Sequence, residues 1–338
     1  MPMKLGLVLV VVLLAAGCAS QPPRATASPL QAALNALLQG DAREALRVFD
    51  AVDAPLTSGQ QALVDCVRSR FVGPLPPNDL PPDAAAALTA YETYWRAAMM
   101  KAQSPAAAEA RLLEALNAIP AMAGAPDRAS LESVSEHVVP ALEAQGLHAL
   151  TGKTEPLYEL MIWRSQETNM YDVALPEGMV NVKVVIHDKF ASLGWGGIAT
   201  SGEAQTGGWA KPDALYAVRA SYDLASEDFR VSYLAHEGQH FADYAKFPML
   251  EQPELEYRAK LTEIALSSTT TEKLISNFAS LGGDSRDAPH AFAARRVTLA
   301  LQGVPLDRVR AAAAAKLRES TATLVRLGAA TTKRFLPD

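Results

Sequence analysis

The chain has 338 residues, more than one hydrophobic core usually spans, so its length predicts about two domains. Hydrophobic residues make up 49% of the sequence, which is enough to form buried cores. Lys and Arg total 31 against 37 for Asp and Glu, and no cluster of basic residues interleaved with aromatic residues occurs. This mildly acidic balance excludes nucleic acid as an expected partner.

The N-terminal residues have the pattern of an export signal. Lys4 supplies a positive charge, and the apolar run from Leu5 to Leu14 is too short to span a bilayer but long enough for the core of a signal peptide. The following Ala15-Ala-Gly-Cys18 resembles the lipobox of bacterial lipoproteins, with Ala15 standing where leucine is usual. The resemblance implies that residues 1–17 are removed as a signal peptide and that Cys18 receives lipid. An ordinary secretory signal with an incidental cysteine, or a retained membrane anchor, is the alternative.

A lipid on Cys18 determines the expected location of the protein. Residues 18–29 are rich in Gln, Pro, Ala, Thr and Ser, which is typical of a flexible tether. We expect a protein of the cell envelope that faces the periplasm and contacts the membrane through its N-terminal lipid. Ala19 and Ser20 lack the aspartate that retains many enterobacterial lipoproteins in the inner membrane, which favours the outer membrane.

Residues 30–150 are predicted to form a helical domain. Apolar residues recur at helical spacing on both sides of Gly40-Asp41, which resembles half of a tetratricopeptide unit, but no second copy follows at the expected period. Five prolines between positions 72 and 82 indicate a connection, and residues 84–102, 105–119 and 130–145 have amphipathic helical patterns. Tyr91, Tyr94 and Trp95 form a stripe that we assign to the core.

The pattern changes after residue 150. Residues 157–164, 180–186 and 215–222 are rich in β-branched or aromatic residues and are predicted to be strands of a small sheet. Glycines between positions 194 and 208 are interpreted as hairpin loops, in preference to a mobile flap. The sequence therefore predicts an α+β protein, with an all-helical domain followed by a second domain over residues 151–338.

The chemistry is concentrated in His236-Glu237-Gly238-Gln239-His240. Ser226 is a suitable N-cap and Pro248 a suitable stop for a helix that carries this segment. Histidines four positions apart lie about 40° apart around a helix, so both imidazoles can reach one ion from the same face. The H-E-x-x-H pattern resembles that of the zincin metallopeptidases, which implies one zinc ion per chain bound by His236 and His240. A solvated or capped pair of histidines is the alternative.

A catalytic zinc ion needs a third protein ligand. No histidine follows within ten residues of His240, so the three-histidine motif of metzincins is absent. Glu256-Tyr257-Arg258-Ala259 resembles the E-Y-x-A-D segment of the gluzincins, and this resemblance implies that Glu256 is the ligand. Lys260 stands where that segment has aspartate. Glu263 and Asp243 remain the alternatives.

The expected reaction is hydrolysis of a peptide bond in an exported polypeptide. Glu237 is predicted to take the proton of the attacking water and to pass it to the leaving amine. His290, Tyr257 and Tyr244 are candidate donors to the oxyanion, and no spacing rule selects one of them. The rival hypothesis is a helical binding or scaffold lipoprotein whose zinc site is structural or vestigial.

Overall fold

The structure is a computed structural model, and it describes residues 29–53, 55–75, 77–202, 207–211 and 213–337. The predicted signal peptide, Cys18 and nearly all of the tether lie outside these residues. Among the residues that it describes, no helix is long and apolar enough to cross a membrane. The fold is a mixed α+β structure, as the sequence predicts.

The helices are α1 (Pro29–Leu38), α2 (Ala42–Asp50), α3 (Ser58–Val72), α4 (Pro82–Met99), α5 (Pro105–Asn117), α6 (Leu131–Glu143), α7 (Gly194–Ala199), α8 (His236–Lys246), α9 (Gln252–Leu266), α10 (Thr271–Leu281), α11 (Pro289–Ala300) and α12 (Leu306–Leu327). The strands are β1 (His148–Thr154), β2 (Leu157–Leu175), β3 (Gly178–Leu193), β4 (Gly208–Lys211) and β5 (Ala214–Val218). In the described part of the chain, the strands form one five-stranded sheet with the order β1-β2-β3-β5-β4.

The chain divides into two compact units, each made of two segments. The first contains residues 29–167 and His187–Trp209, and the second contains Thr168–Ile186 and the described residues after position 209. The long strands β2 and β3 contribute residues to both units, so each unit contains helices and part of the sheet.

The helices of the first unit pack around an apolar core. Tyr91, Tyr94 and Trp95 of α4 are all buried in it, which confirms the core assignment of this stripe. The Trp95 indole also donates a hydrogen bond of 2.7 Å to the carbonyl of Tyr158 in β2. β1 begins at His148, so the helical region ends slightly earlier than position 150. β1 pairs with β2 in antiparallel fashion. The sequence did not predict β1, because this segment has neither clear alternation of apolar and polar residues nor enrichment in β-branched residues.

The glycine-rich segment after β3 is not a plain loop, because its first part forms the helix α7. The buried Glu159 carboxylate accepts a hydrogen bond of 2.9 Å from the backbone N–H of Trp195. A Cβ on Gly194, whose φ is +81°, would lie 2.0 Å from Glu159 Oε1. Glycine is therefore required where this carboxylate meets the chain, and our interpretation of these glycines as hairpin turns was wrong at this position.

The second unit is built around α9. Every residue of this helix from Pro253 to Ile264 is buried, and α9 packs against α8, α10, α11 and α12. A helix enclosed on all sides is usually apolar, but α9 carries several charged residues. Burial of charged groups is tolerated only when they are paired or bind metals, so the partners of these residues define the most unusual part of the unit.

Candidate metal centre

An irregular helical segment leads into the histidine motif. The Ser226 hydroxyl accepts a hydrogen bond of 3.1 Å from the backbone N–H of Phe229, as expected of an N-cap. Residues Asp228–Ala235 then form a π-helix, and α8 continues from His236. The helix ends at Lys246, two residues before Pro248. Such π-helical turns are rare and occur frequently at functional sites.

The start of this segment is fixed by Glu227. Its carboxylate accepts hydrogen bonds from the backbone N–H groups of Ser268, Thr269 and Thr270 and from their hydroxyls. Burial raises the pKa of Glu227, but these hydrogen bonds outweigh it and hold the pKa well below its ordinary value. The carboxylate therefore joins the beginning of the π-helix to the segment that precedes α10.

The middle of the motif lies directly on the hairpin of β2 and β3. A Cβ on Gly238 would lie 3.2 Å from Cγ1 of Val180 and 3.5 Å from Cγ1 of Val173. Glycine therefore allows close contact between α8 and the hairpin, although it lowers helix propensity by about 1 kcal/mol relative to alanine. This contact sets the distance between the hairpin and the part of α8 that carries the two histidines.

His236, His240 and Glu256 converge on one point. Their ligand atoms all lie within 4.8 Å of one another, and all three residues are buried. The two Nε2 atoms are 3.2 Å apart, Nε2 of His236 is 3.5 Å from Oε2 of Glu256, and Nε2 of His240 is 3.4 Å from Oε1 of Glu256. This buried group could bind a metal ion. Two imidazole nitrogens and one carboxylate oxygen are donors that zinc accepts, so the residues fit such an ion.

The charges around the group favour a cation at its centre. Burial lowers the pKa of His236, but the carboxylates of Glu263 and Glu256 outweigh it and raise the pKa to about 9. Burial raises the pKa of Glu256, but contacts with His240 and His290 hold it well below its ordinary value. The carboxylates therefore stabilise positive charge between the two helices, whether a proton or a metal ion carries it.

Two further pairs join α8 to α9. Glu263 Oε1 lies 2.7 Å from Nδ1 of His236, on the ring edge opposite Nε2. Gln239 accepts a hydrogen bond of 2.9 Å from the Thr262 hydroxyl. Glu263 is therefore adjacent to His236 and lies outside the group of three.

Asp243, the other alternative for a third ligand, forms hydrogen bonds with residues outside the group of three. Its two carboxylate oxygens accept hydrogen bonds of 2.8 Å from Nε and Nη2 of Arg258, and one of them accepts a hydrogen bond of 2.9 Å from Gln239. Arg258 is 1% exposed and also donates to the hydroxyls of Ser320 and Thr321 in α12. The pair therefore holds α8, α9 and α12 together.

Glu237 is buried, and its charge influences two tyrosines that the sequence did not single out, Tyr222 and Tyr233. Within the described part of the chain, its Oε2 atom and the hydroxyl oxygens of Tyr222 and Tyr233 are buried without a hydrogen-bond partner. The rings of the two tyrosines are 5.0 Å apart, centroid to centroid. Burial raises the pKa of each tyrosine well above its ordinary value, and the charge of Glu237 raises both further. Tyr233 lies four residues before Glu237 on the same helical run, which is the signal that could have identified it.

The expected oxyanion donors lie at different distances from the group. His290 Nδ1 is 2.7 Å from Oε2 of Glu256, and the side chain is 43% exposed. The Tyr244 ring centroid lies 6.3 Å from that of His240. Tyr257 instead packs against Phe335 in the apolar core of the C-terminal helices. His290 and Tyr244 are therefore near the group, whereas Tyr257 is part of the packing around it.

Lys260 replaces the aspartate of the gluzincin segment with a positive charge near the group. Its Nζ atom lies 3.9 Å from Oε2 of Glu256 and 4.9 Å from the ring centroid of Phe278. Lys260 is 8% exposed, and Glu256 and Glu263 are also buried, so this face of α9 does not contact solvent. This ammonium group adds to the positive charge around Oε2 of Glu256, which His236 and His290 also approach.

Comparisons with known proteins give no relative of this chain: no family model, no curated protein and no solved structure matches it.

Proposed function

We propose that the chain is a zinc-dependent metallopeptidase, with His236, His240 and Glu256 as the ligands of one zinc ion. The observation that carries the proposal is a buried group of two imidazoles and one carboxylate next to Glu237, a carboxylate with an oxygen that has no hydrogen-bond partner in the described residues. Three protein ligands are typical of catalytic zinc sites, which keep a further position open.

The residues around the group suit hydrolysis of an amide. When bound, zinc supplies Lewis-acid chemistry, which polarises a carbonyl and makes water more acidic. Glu237 accepts a proton from the attacking water as the new C–O bond forms. It then delivers that proton to the amine nitrogen as the C–N bond breaks, so the carboxylate is restored. Glu263 holds His236 by its Nδ1 atom, which leaves Nε2 as the ligand.

We also propose that the protein is a lipoprotein of the cell envelope that acts on exported polypeptides. The support comes from the sequence: an apolar run followed by Ala15-Ala-Gly-Cys18 and a polar, proline-containing stretch. Lipid on Cys18 would keep the protein at the periplasmic face of a membrane, and of the two membranes we favour the outer one.

A scaffold lipoprotein with a structural zinc site is the second candidate. The ligands are only 2–5% exposed, which is typical of sites that hold a fold together. The two functions differ in the need for Glu237, because a structural site requires the three ligands and no base.

The deciding experiment compares the full-length chain with Glu237→Gln on a mixed peptide substrate. We expect the variant to keep its zinc and lose peptide hydrolysis, because it retains all three ligands but has no base. Glu272→Gln on the surface of α10 is the matched control and should cleave normally. A Glu237→Gln variant as active as the wild type, or a zinc-loaded wild type without activity, would remove the peptidase proposal and favour the scaffold.

A further inference from the structure

A lysine is the buried neighbour of the carboxylate that we assign to the metal. Lys260 lies one helical turn after Glu256 on α9, and its Nζ atom is 3.9 Å from Oε2 of Glu256. Both side chains are buried, so salt and solvent screen the attraction between them poorly. Among the residues that the structure describes, Glu256 is the only carboxylate that forms an ion pair with Lys260. The lysine therefore depends on the same carboxylate as the metal would.

The neighbouring helix α10 holds the ammonium group where it is. Nζ of Lys260 lies 4.9 Å from the ring centroid of Phe278, a distance at which an aromatic face attracts a cation. Phe278 is itself buried in the apolar core of the C-terminal helices. A move of the ammonium group into solvent would break its contacts with both Phe278 and Glu256, so the charge stays beside the carboxylate.

Lys260 differs in kind from the other groups near the Glu256 carboxylate. Nδ1 of His290 lies 2.7 Å from Oε2, and Nε2 of His240 lies 3.4 Å from Oε1. A neutral imidazole has a nitrogen that can bind a metal ion, whereas an ammonium group has donors only. Lys260 can therefore attract the carboxylate but can only repel a cation that the carboxylate binds.

The same positive charge has opposite effects with and without a metal ion. In the metal-free chain, it compensates the charge of a carboxylate that is removed from water, and a buried carboxylate requires such a partner. When a divalent cation is bound, the ammonium group repels it, and this repulsion is stronger in a poorly solvated site than in water. An aspartate, which the gluzincin segment has at this position, would act in the opposite direction in both states.

We infer that Lys260 sets the zinc affinity of the site. It stabilises the metal-free chain through Glu256 and weakens the binding of zinc, so that the occupancy of the site follows the supply of zinc. Lys260 binds neither metal nor substrate and acts only through Glu256. This inference rests on the zinc site of the proposed function, but it does not depend on peptide hydrolysis.

The first test is the zinc affinity of the full-length chain in detergent, measured by competition with a chelator. Lys260→Met retains most of the side-chain length but removes the charge, so it should bind zinc about tenfold more tightly than the wild type. Lys260→Arg retains a positive charge and should stay close to the wild type. Lys316→Met, which removes a partly exposed lysine paired with Glu319 on α12, is the matched control and should equal the wild type.

The second test is urea unfolding of the same proteins with zinc removed. Metal-free Lys260→Met should unfold at a lower urea concentration than the metal-free wild type, because Glu256 loses its ion-pair partner. Saturating zinc should reduce or reverse this difference, because the variant binds the ion more tightly. A lysine with a packing role alone would cost stability on substitution without any gain in zinc affinity. The opposite signs of the two effects therefore identify an electrostatic role.

The outcomes separate this inference from the proposed function. A chain whose zinc affinity depends on Lys260 as expected, but which cleaves no peptide, would overturn the peptidase proposal and leave the inference standing. The inference is overturned if Lys260→Met binds zinc no more tightly than the wild type, if its metal-free form is as stable as that of the wild type, or if the wild type binds no zinc.

Discussion

Nδ1 of His236 lies 2.7 Å from Oε1 of Glu263, while Nε2 of the same ring lies 3.5 Å from Oε2 of Glu256. Two carboxylates from α9, two turns apart, therefore contact opposite edges of one imidazole. Since an ionised carboxylate only accepts hydrogen bonds, the pairing with Glu263 puts a proton on Nδ1, so Nε2, which faces Glu256 and His240, is the ring nitrogen that can give up its proton to a metal ion. The two glutamates are chemically identical, but their positions give them different tasks.

Substitution of the two glutamates should separate those tasks. We expect Glu256→Gln to lose stoichiometric zinc, because it removes the only anionic donor of the group of three. Glu263→Gln should still bind one zinc ion per chain, with an affinity about 10- to 100-fold lower, since it changes only the support of a ligand. Zinc content by mass spectrometry and competition with a chelator measure both effects. His236→Ala and His240→Ala serve as references for loss of a ligand, and retention of zinc by Glu256→Gln would contradict the assignment.

The buried pair of Arg258 and Asp243 should be important for stability. Arg258→Met leaves the Asp243 carboxylate buried with only the Gln239 hydrogen bond, and loss of one partner of a buried pair costs about 3–5 kcal/mol. The measurement is unfolding by urea. Arg295→Met, which breaks a partly exposed pair with Asp284, is the control and should cost less than about 1 kcal/mol. We further expect Asp243→Asn to restore part of the stability lost in Arg258→Met, and equal losses in the two arginine variants would contradict a structural role of the buried pair.

Glu159 should make stability depend on pH. Burial raises the pKa of this carboxyl to about 8, despite hydrogen bonds from the backbone N–H groups of Trp195 and Leu160. Between its ordinary pKa of 4.5 and about 8, the folded protein holds a proton that the unfolded chain releases, so the free energy of unfolding falls as pH rises through this range. The full change is roughly 4–5 kcal/mol.

Urea unfolding between pH 5 and 8 checks this dependence. Glu159→Gln keeps a hydrogen-bond acceptor but cannot ionise, so its stability should vary less over the range and should exceed that of the wild type at pH 8. Glu143→Gln, on the exposed side of α6, should retain the wild-type slope. If the free energy of unfolding varied with pH equally in the wild type and in Glu159→Gln, this carboxyl would be excluded as the source of the pH dependence.

Lipid attachment is tested at Cys18. Cys18→Ser should prevent acylation and release the protein from the membrane fraction, because the lipid chains provide the membrane affinity. Fractionation and the mass of the N-terminal peptide measure the two effects. Cys66→Ser is the control and should fractionate with the wild type. A Cys18→Ser protein that stays in the membrane fraction at unchanged mass would show that another feature anchors it.

The parts of the site that were predictable are those with a fixed spacing along a helix. His236 and His240 are four residues apart, so their convergence follows from helix geometry alone. The position of Glu256 near them came from a resemblance in four residues, and spacing could not have chosen it over Glu263. The choice depends on the packing of α9 against α8, which brings Glu256 to the Nε2 atoms and Glu263 to Nδ1.

The burial of α9 was not predictable from its composition. Glu254, Glu256, Arg258 and Lys260 alternate along it in a way that is typical of an exposed helix, yet all of them are buried. Their partners are distant in sequence, such as Arg286 for Glu254 and Asp243 for Arg258. The same pattern of polar residues is compatible with a helix exposed to solvent and with a buried helix whose polar residues are paired. Only the tertiary structure distinguishes these two cases. The same limit applies to Gly194, whose neighbour Glu159 is far away in sequence.

The π-helix before His236 makes this part of the chain sensitive to changes in length. In an ordinary helix, one residue more or fewer turns everything beyond it by about 100°. A deletion between Asp228 and Ala235 that let the segment wind as a regular α-helix would alter the angle between Tyr233 and the histidine motif, even if every functional residue were still present. Related sequences that retain the H-E-x-x-H residues but differ in the spacing between Ser226 and His236 would therefore be expected to differ in activity, so alignments of this region should weigh gaps as heavily as substitutions.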